Sequence, residues 1–210
     1  MNAAIELQPP PALSDEDRAR AEHYAVLARV FHAAPDAVLL AALARAGGVL
    51  GGAQGALPSA WSALGSAAQT TSLQAVRDEF DTLFVSVGKP RVIANGSWYL
   101  SGFLQEAPLA ELRADLAELG LGRRQGVAET EDHVAALAEV MRHLIVTGPD
   151  AAGLARQRQF FGRHLAPWYA RLAQTLAQEP EADFYSRAGA LLQAFLDIER
   201  AAFEMLEAPA

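Results

Sequence analysis

The stretch ETEDHVAALAEVM (residues 129–141) predicts an amphipathic helix that begins with charged residues. Its apolar positions recur at helical spacing and continue beyond the quoted segment: Val134, Leu137, Met141, Leu144 and Ile145. Asp132, Glu139 and His143 fall on the opposite face of such a helix, and His133 lies at the boundary between the two faces. Asp132 and His133 therefore point in different directions, although they are adjacent, and do not form an acid–base pair along one helix.

The same period runs through most of the chain and predicts an all-α fold, because no segment shows the alternation of a strand. Ser14 followed by Asp17 indicates an N-cap with an acidic first turn. Gly47-Gly48 is expected to end the second helix and to open a flexible glycine-rich connection. Helices are expected in these ranges: 14–34, 36–46, two between 59 and 87, 108–120, 129–147, 150–178 and 183–206.

The sequence predicts a tail, two helical lobes and a link between them. Residues 1–13 contain three consecutive prolines and predict a flexible tail. Residues 14–120 form the predicted N-terminal lobe, which includes an ordered, aromatic loop at 88–108. The polar, glycine-containing segment 121–128 is the expected hinge, and 129–210 is the expected C-terminal lobe.

The composition restricts the classes of function. The chain has 210 residues, 51% of them hydrophobic, which suffices for a sizeable core. Its formal net charge is −8 and no basic stripe is visible, so nucleic acid is not an expected partner. It has no cysteine, no apolar stretch near the roughly 20 residues of a membrane span, and no secretory features at its start. These features favour a cytoplasmic protein without stable membrane insertion.

No catalytic motif is evident. The Glu129/His133 and Glu139/His143 pairs are separated by four residues, whereas the di-iron helix motif needs a separation of three. Phosphate-loop and nucleophile-elbow patterns are also absent from the sequence. We therefore expect no catalytic residue, no metal site, no cofactor and no enzyme activity. Two alternatives remain open: a helical interaction or regulatory protein, and a metal-dependent helical enzyme that uses Asp132, His133 and Glu139.

Several motifs, in this order, resemble the TorD/DmsD/NarJ-like family of redox-enzyme maturation chaperones. The resemblance covers about residues 20–205, and its most specific element is the Glu129-x-x-Asp132-His133 helix start. The motifs are EFDTLF (79–84), Gly88, GSWYL (96–100), LRADLAELGL (112–121), ETEDHVAALAEVM (129–141), QFFGRHLAPWYARLAQTL (159–176) and DFYSRAGALLQAFLDIE (183–199).

The resemblance implies a helical protein of two lobes with a hinge at or just before residue 129. Members of that family bind the twin-arginine signal peptide or the apo form of a molybdopterin oxidoreductase, and hold it until the molybdopterin cofactor is inserted. Such an enzyme subunit and its signal peptide are the partners that the resemblance implies. Some members form homodimers by domain swapping through the hinge.

The resemblance also assigns residues to client binding: Phe80, Leu83, Phe84, Ser97, Trp98, Tyr99, Glu129, Asp132 and His133. Trp98, Tyr99 and Phe103 read equally well as core aromatics that fix a loop. A twin-arginine peptide is a basic pair followed by an apolar run, and it needs carboxylates beside an aromatic groove. Our hypothesis is that Asp132 accepts an arginine and that His133 shapes the rim of the groove.

Two positions depart from the family's pattern. The family often has proline after the first glutamate of the helix start, where this chain has Thr130. Relatives of the DmsD type carry an aromatic residue or proline before Gly96-Ser97, where this chain has Ala94-Asn95. These departures bear on which client is bound, and the sequence does not identify that client.

Overall fold

A computed structural model of the chain describes residues 12–85, 90–104, 106–123 and 129–206. Those ranges contain ten α-helices: α1 (Asp15–His32), α2 (Ala37–Leu50), α3 (Ala56–Thr70), α4 (Leu73–Phe80), α5 (Gly96–Ser101), α6 (Ala107–Glu118), α7 (Val134–Thr147), α8 (Ala151–His164), α9 (Tyr169–Gln178) and α10 (Phe184–Met205). A π-helical turn, Asp81–Val85, follows α4 directly. The described residues contain no β-strand, only an isolated bridge between Asn95 and His133. The predicted all-α fold is therefore confirmed.

The helices share one hydrophobic core. Helix α1 packs along α7 and α3 packs along α10, so each of these pairs joins the first half of the chain to the second. The described buried residues of both halves thus contribute to one hydrophobic cluster. Part of the predicted hinge, residues 124–128, lies outside the described residues, and the division into two lobes stays a prediction. No helix within the described ranges is long and apolar enough to cross a bilayer.

Side-chain caps explain where several helices begin. The Ser14 hydroxyl accepts a hydrogen bond from the Asp17 backbone N–H at 3.0 Å, which confirms the predicted N-cap of α1. Helix α10 has no local side-chain cap. The carboxylate of Glu79, in α4, instead accepts hydrogen bonds from the backbone N–H groups of residues 183–185, at distances of 2.8 to 3.1 Å. Glu79 therefore couples the EFDTLF segment to the C-terminal helix.

A buried ion pair connects the first and last helices. Glu199, in α10, is only 2% exposed, and its carboxylate accepts two hydrogen bonds from the Arg20 guanidinium of α1, at 2.7 and 2.9 Å. Tyr24 donates to the same carboxylate at 3.1 Å, and Arg20 also donates to Gln157 of α8 at 3.0 Å. Because both charges have hydrogen-bonding partners, their burial is compensated.

The prediction that α2 ends at Gly47-Gly48 is wrong. Helix α2 runs through both glycines to Leu50, and α3 begins at Ala56. The reason is tertiary contact: a Cβ at Gly47 would lie 2.5 Å from the Cα of Gly65 in α3. The glycine at 47 lets the two helix backbones approach closely, and this packing offsets its low helix propensity.

Three further boundaries differ from the predictions. The expected loop 88–108 contains the short helix α5, which is too brief to show a period. The expected helix 150–178 is divided into α8 and α9, because Pro167 lacks the N–H that a continuous helix needs. Helix α7 begins at Val134 with His133 as its N-cap, so Asp132 is outside the helix and does not share a face with Glu139 and His143.

Some predictions fall mainly on residues that are not described. Residues 1–11 of the predicted tail, Gly88 of the family motif and residues 124–128 of the link lie outside the described ranges. Of the tail, Ala12 and Leu13 are described, and Leu13 packs against the core.

Adjacent glycines in α2 provide a matched test of the helix contact. We expect Gly47→Ala to lower the free energy of unfolding by about 1–3 kcal/mol, because its methyl group meets backbone atoms that must move. Gly48 is exposed, and a Cβ at this position would have no neighbour within 4 Å, so Gly48→Ala should raise stability by about 0.5–1 kcal/mol. Urea unfolding followed by far-UV circular dichroism measures both. Equal effects of the two substitutions would contradict the close packing of α2 on α3.

Candidate functional site

The carboxylate of Asp132 holds the candidate site together. It is 4% exposed and accepts four hydrogen bonds. Ser97 donates from its backbone N–H at 2.9 Å and from its hydroxyl at 2.5 Å. Thr130 donates from its hydroxyl at 2.5 Å and Asn95 from its amide at 3.1 Å. Both carboxylate oxygens are thus occupied by groups of the protein itself.

These hydrogen bonds fix the start of α5. Asn95 precedes this helix but its side chain makes no capping hydrogen bond, so Asp132 takes the place of a local cap. Two backbone hydrogen bonds support the arrangement, from Gly96 N–H to the Asp132 carbonyl at 2.9 Å and from Val134 N–H to the Ala94 carbonyl at 2.8 Å. The segments 94–97 and 130–134 therefore behave as one clamped unit.

Glycine at position 96 leaves space for a neighbouring indole ring. A Cβ at Gly96 would lie 3.0 Å from the indole nitrogen of Trp168, which donates to the His164 carbonyl at 2.6 Å. The Tyr99 ring stacks on the same indole with a centroid separation of 5.4 Å. Tyr99 is therefore a core aromatic residue that fixes this loop, because it is buried against Trp168.

The two departures from the family's pattern meet at Asp132. Asn95 donates to the Thr130 hydroxyl at 3.0 Å, and both side chains also donate to the carboxylate. Burial by itself would raise the pKa of Asp132, but the hydrogen bonds from Ser97, Thr130 and Asn95 outweigh it and hold the pKa below its usual range. The carboxylate is therefore ionised at neutral pH.

His133 caps helix α7 with its ring. Its Nδ1 accepts a hydrogen bond from the Ala135 backbone N–H at 3.2 Å. Burial lowers the pKa of His133 from 6.5 to about 4, and the nearby charges of Glu129 and Asp132 only partly oppose this effect. The imidazole is consequently neutral at physiological pH. Asp132 and His133 thus have different hydrogen-bond partners although they are adjacent, but not for the predicted reason, because Asp132 precedes the helix.

Two cavities meet beside His133. The larger, of about 570 Å³, lies between α1, the end of α6 and α7, and its lining surface is mainly apolar. The smaller, of about 190 Å³, is lined by the aromatic rings of Phe31, Phe80 and Phe84. His32, Glu129 and His133 border both cavities. We call these three residues the junction.

The predicted binding residues separate into two groups. Phe80, Phe84, Glu129 and His133 line the cavities. Four others are buried and line neither cavity: Leu83, Ser97, Tyr99 and Asp132. Trp98 is half-buried, packs against the core and also lines neither cavity. The structure therefore revises the hypothesis for Asp132: its oxygens are committed to the clamp, and the exposed carboxylate at the junction belongs to Glu129.

Helix α1 also lines both cavities, which the sequence pattern did not predict. Phe31 and His32 line the smaller cavity, and Ala28 and Arg29 line the larger one. The apolar stripe of this helix includes Phe31, but the pattern cannot show that the end of the stripe faces a cavity and not the core.

The pKa of His133 leads to a testable pH dependence. The unfolded chain takes up a proton near pH 6.5, whereas the folded protein resists protonation of His133 until the pH approaches 4. Unfolding therefore binds a proton between these values, and stability falls as the pH decreases through them. In His133→Asn, asparagine still caps the helix but does not titrate. We expect wild type to lose up to about 3 kcal/mol more stability than the variant between pH 7 and 4.

Urea unfolding at a series of pH values measures this difference. Comparison with the variant removes the contributions of Asp132 and His164, whose pKa values are also lowered. Parallel stability profiles for the two proteins would show that His133 titrates normally in the folded state.

Comparison with known proteins places the chain in a family. A family described as nitrate reductase delta subunit matches residues 52–174. The chaperone protein TorD of Vibrio parahaemolyticus is 24% identical over 132 residues, 59% of this chain and 61% of that protein. The protein of the same name from Photobacterium profundum is 26% identical over 132 residues, with the same shares covered. The chain thus matches about three fifths of the length of these curated relatives.

A solved structure described as a redox enzyme maturation protein, from Archaeoglobus fulgidus, has the same fold. It superposes with a TM-score of 0.57 at 15% identity, and the match covers 95% of this chain and 99% of that one. Because the family match spans more than half of the residues, the chain belongs to the nitrate reductase delta subunit family, the TorD/DmsD/NarJ-like family that its motifs resemble.

Proposed function

We propose that this protein is a cytoplasmic, client-specific maturation chaperone. Its client is the apo form of a molybdopterin oxidoreductase subunit, which it recognises through the twin-arginine signal peptide and holds until the cofactor is inserted. Family membership supports the class of function. The observation that carries the mode of binding is the position of Glu129 between two largely apolar cavities.

The geometry suits a peptide with a cationic and an apolar part. The phenylalanine-lined cavity can take apolar side chains, which gain about 25 cal/mol per Å² of surface removed from water. Glu129 is exposed at the border of this cavity, where a guanidinium can approach it from solvent. An arginine fits such a carboxylate better than a lysine does, because its planar fork donates two parallel hydrogen bonds.

The other carboxylates of the larger cavity are less suited to this role. Glu131 accepts two hydrogen bonds from Arg113, at 3.1 and 3.0 Å, and its pKa is lowered by that pairing despite the opposing effect of burial. Glu139 pairs with Arg142 at 3.4 Å on the exposed surface of α7. The ion pairs found between described residues include Glu131 and Glu139 but not Glu129. We therefore assign the arginine contact to Glu129.

A metal-dependent activity has less support. The metal-dependent alternative would use Asp132, His133 and Glu139 as ligands. However, Asp132 is enclosed by hydrogen-bond donors, and Nδ1 of His133 caps a helix. No three histidine or acidic side chains in the described part of the chain are grouped as metal ligands would be. We propose that the protein binds its client without catalysing a reaction.

Removal of one charge at the junction tests the proposal. We expect Glu129→Gln to weaken binding of a twin-arginine peptide about tenfold, because a charge-assisted pair is lost while the size of the side chain is kept. The probe is a synthetic peptide with two adjacent arginines followed by an apolar run of about ten residues. Isothermal titration calorimetry at fixed ionic strength gives the affinities.

Glu181→Gln is the matched control, because Glu181 is exposed, lines neither cavity, and loses the same charge. It should bind the peptide like wild type. A peptide with lysines in place of the arginines should bind wild type more weakly and lose less affinity in Glu129→Gln, because an ammonium does not form the bidentate pair. Equal affinity of wild type for the twin-arginine peptide and for a scrambled version would refute the proposed function.

A further inference from the structure

The ring of His23, in α1, lies where three helices meet. It stacks on Phe195 of α10 with a centroid separation of 4.9 Å and meets Trp61 of α3 edge-on at 5.6 Å. Trp61 is only 3% exposed, and its backbone lies against α2, since a Cβ at Gly47 would be 2.7 Å from the Trp61 carbonyl oxygen. Trp61 therefore connects the packed pair of α2 and α3 to α1.

The hydrogen bonds of His23 determine which ring nitrogen carries the proton. Nδ1 lies 2.7 Å from the Ala19 carbonyl oxygen, which can only accept, so Nδ1 is the protonated nitrogen. Nε2 lies 3.0 Å from the indole nitrogen of Trp61, which can only donate, so Nε2 carries a lone pair. The hydrogen bond between α1 and α3 thus requires a neutral imidazole with its proton on Nδ1.

The ionisable groups near this ring are engaged with other residues. Helix α3 contains no ionisable side chain. Within one helical turn of His23 or Phe195 the ionisable residues are Arg20, Glu22, Tyr24, Asp197 and Glu199. Arg20 and Tyr24 both donate to Glu199, Asp197 accepts a hydrogen bond from Tyr169, and Glu22 is exposed. A proton that the ring takes up therefore acts first on the hydrogen bond from Trp61.

We propose that His23 and Trp61 form a proton-sensitive latch between α1 and α3. Histidine is the side chain that takes up a proton between about pH 8 and 5. The second ring proton is added at Nε2, where it faces the indole N–H, so two donors meet and the hydrogen bond is lost. A buried indole N–H without an acceptor is unfavourable, and the indole must move towards water. Acid therefore loosens α3 from α1, the helix that lines both cavities, while α3 keeps its packing along α10.

Nuclear magnetic resonance of the whole chain tests the latch. Two-bond ¹H–¹⁵N spectra of ¹⁵N-histidine-labelled protein should show His23 protonated on Nδ1 and not on Nε2 at pH 7.5. Hydrogen exchange of the Trp61 indole proton, expressed as a protection factor, should show about tenfold less protection at pH 5.5 than at pH 7.5. The indole proton of Trp168 is the internal control, because it bonds to the His164 carbonyl, which does not titrate.

His23→Gln is the matched variant, because its side-chain oxygen can accept from the indole N–H but does not titrate. In this variant the protection of Trp61 should change less than twofold between the two pH values. Trp61→Phe provides a second check, since it removes the donor and should leave the tautomer of His23 no longer fixed by α3. The latch is refuted if His23 carries its proton on Nε2 at pH 7.5, if Trp61 protection in wild type does not fall with pH, or if it falls equally in His23→Gln.

Discussion

The structure of the site depends on one buried carboxylate. Asp132 accepts four hydrogen bonds from residues that belong to two separate segments, and two of these hydrogen bonds are as short as 2.5 Å. A carboxylate removed from water without such donors would be costly, so the hydrogen bonds and the burial depend on each other. Glu79 does the same for α10 with three backbone N–H groups. In both cases a helix is capped by an acid that is distant in sequence, which couples local structure to the tertiary fold.

This constraint decides which groups a ligand can contact. Because Asp132 is used within the protein, the accessible chemistry at the junction is the carboxylate of Glu129, the neutral ring of His133 and the rings of the smaller cavity. Asp132 supports them indirectly by holding segment 94–97 against the start of α7. Asn95 and Thr130, where the chain departs from the family's pattern, bond to each other and to the carboxylate. Thr130 also lines the larger cavity and Asn95 the smaller one, so these departures change both the clamp and the cavity walls.

Local periodicity predicts much of the fold. It identifies α1, α6, α7 and α10 and the Ser14 cap, because the apolar stripes of these helices face the core. Periodicity does not predict helix boundaries that depend on tertiary contacts. Examples are Gly47, where another helix packs closely, and α5, whose cap comes from a residue 35 positions away. For the site, the sequence selects Glu129, Asp132 and His133. It places Asp132 wrongly in exposed surroundings, since a helical projection assumes that residue 132 is already in the helix.

Hydrogen exchange of the Ser97 amide in wild type and Asp132→Asn tests the role of the clamp most directly. We predict that this amide exchanges about 10- to 100-fold faster in the variant, because its charged acceptor is lost, while amides in the middle of α7 change little. Arginine-selective peptide binding should persist in whatever fraction of the variant keeps the clamp closed. Unchanged protection of Ser97 together with loss of arginine selectivity would contradict the account, because it would place the Asp132 carboxylate in contact with the ligand.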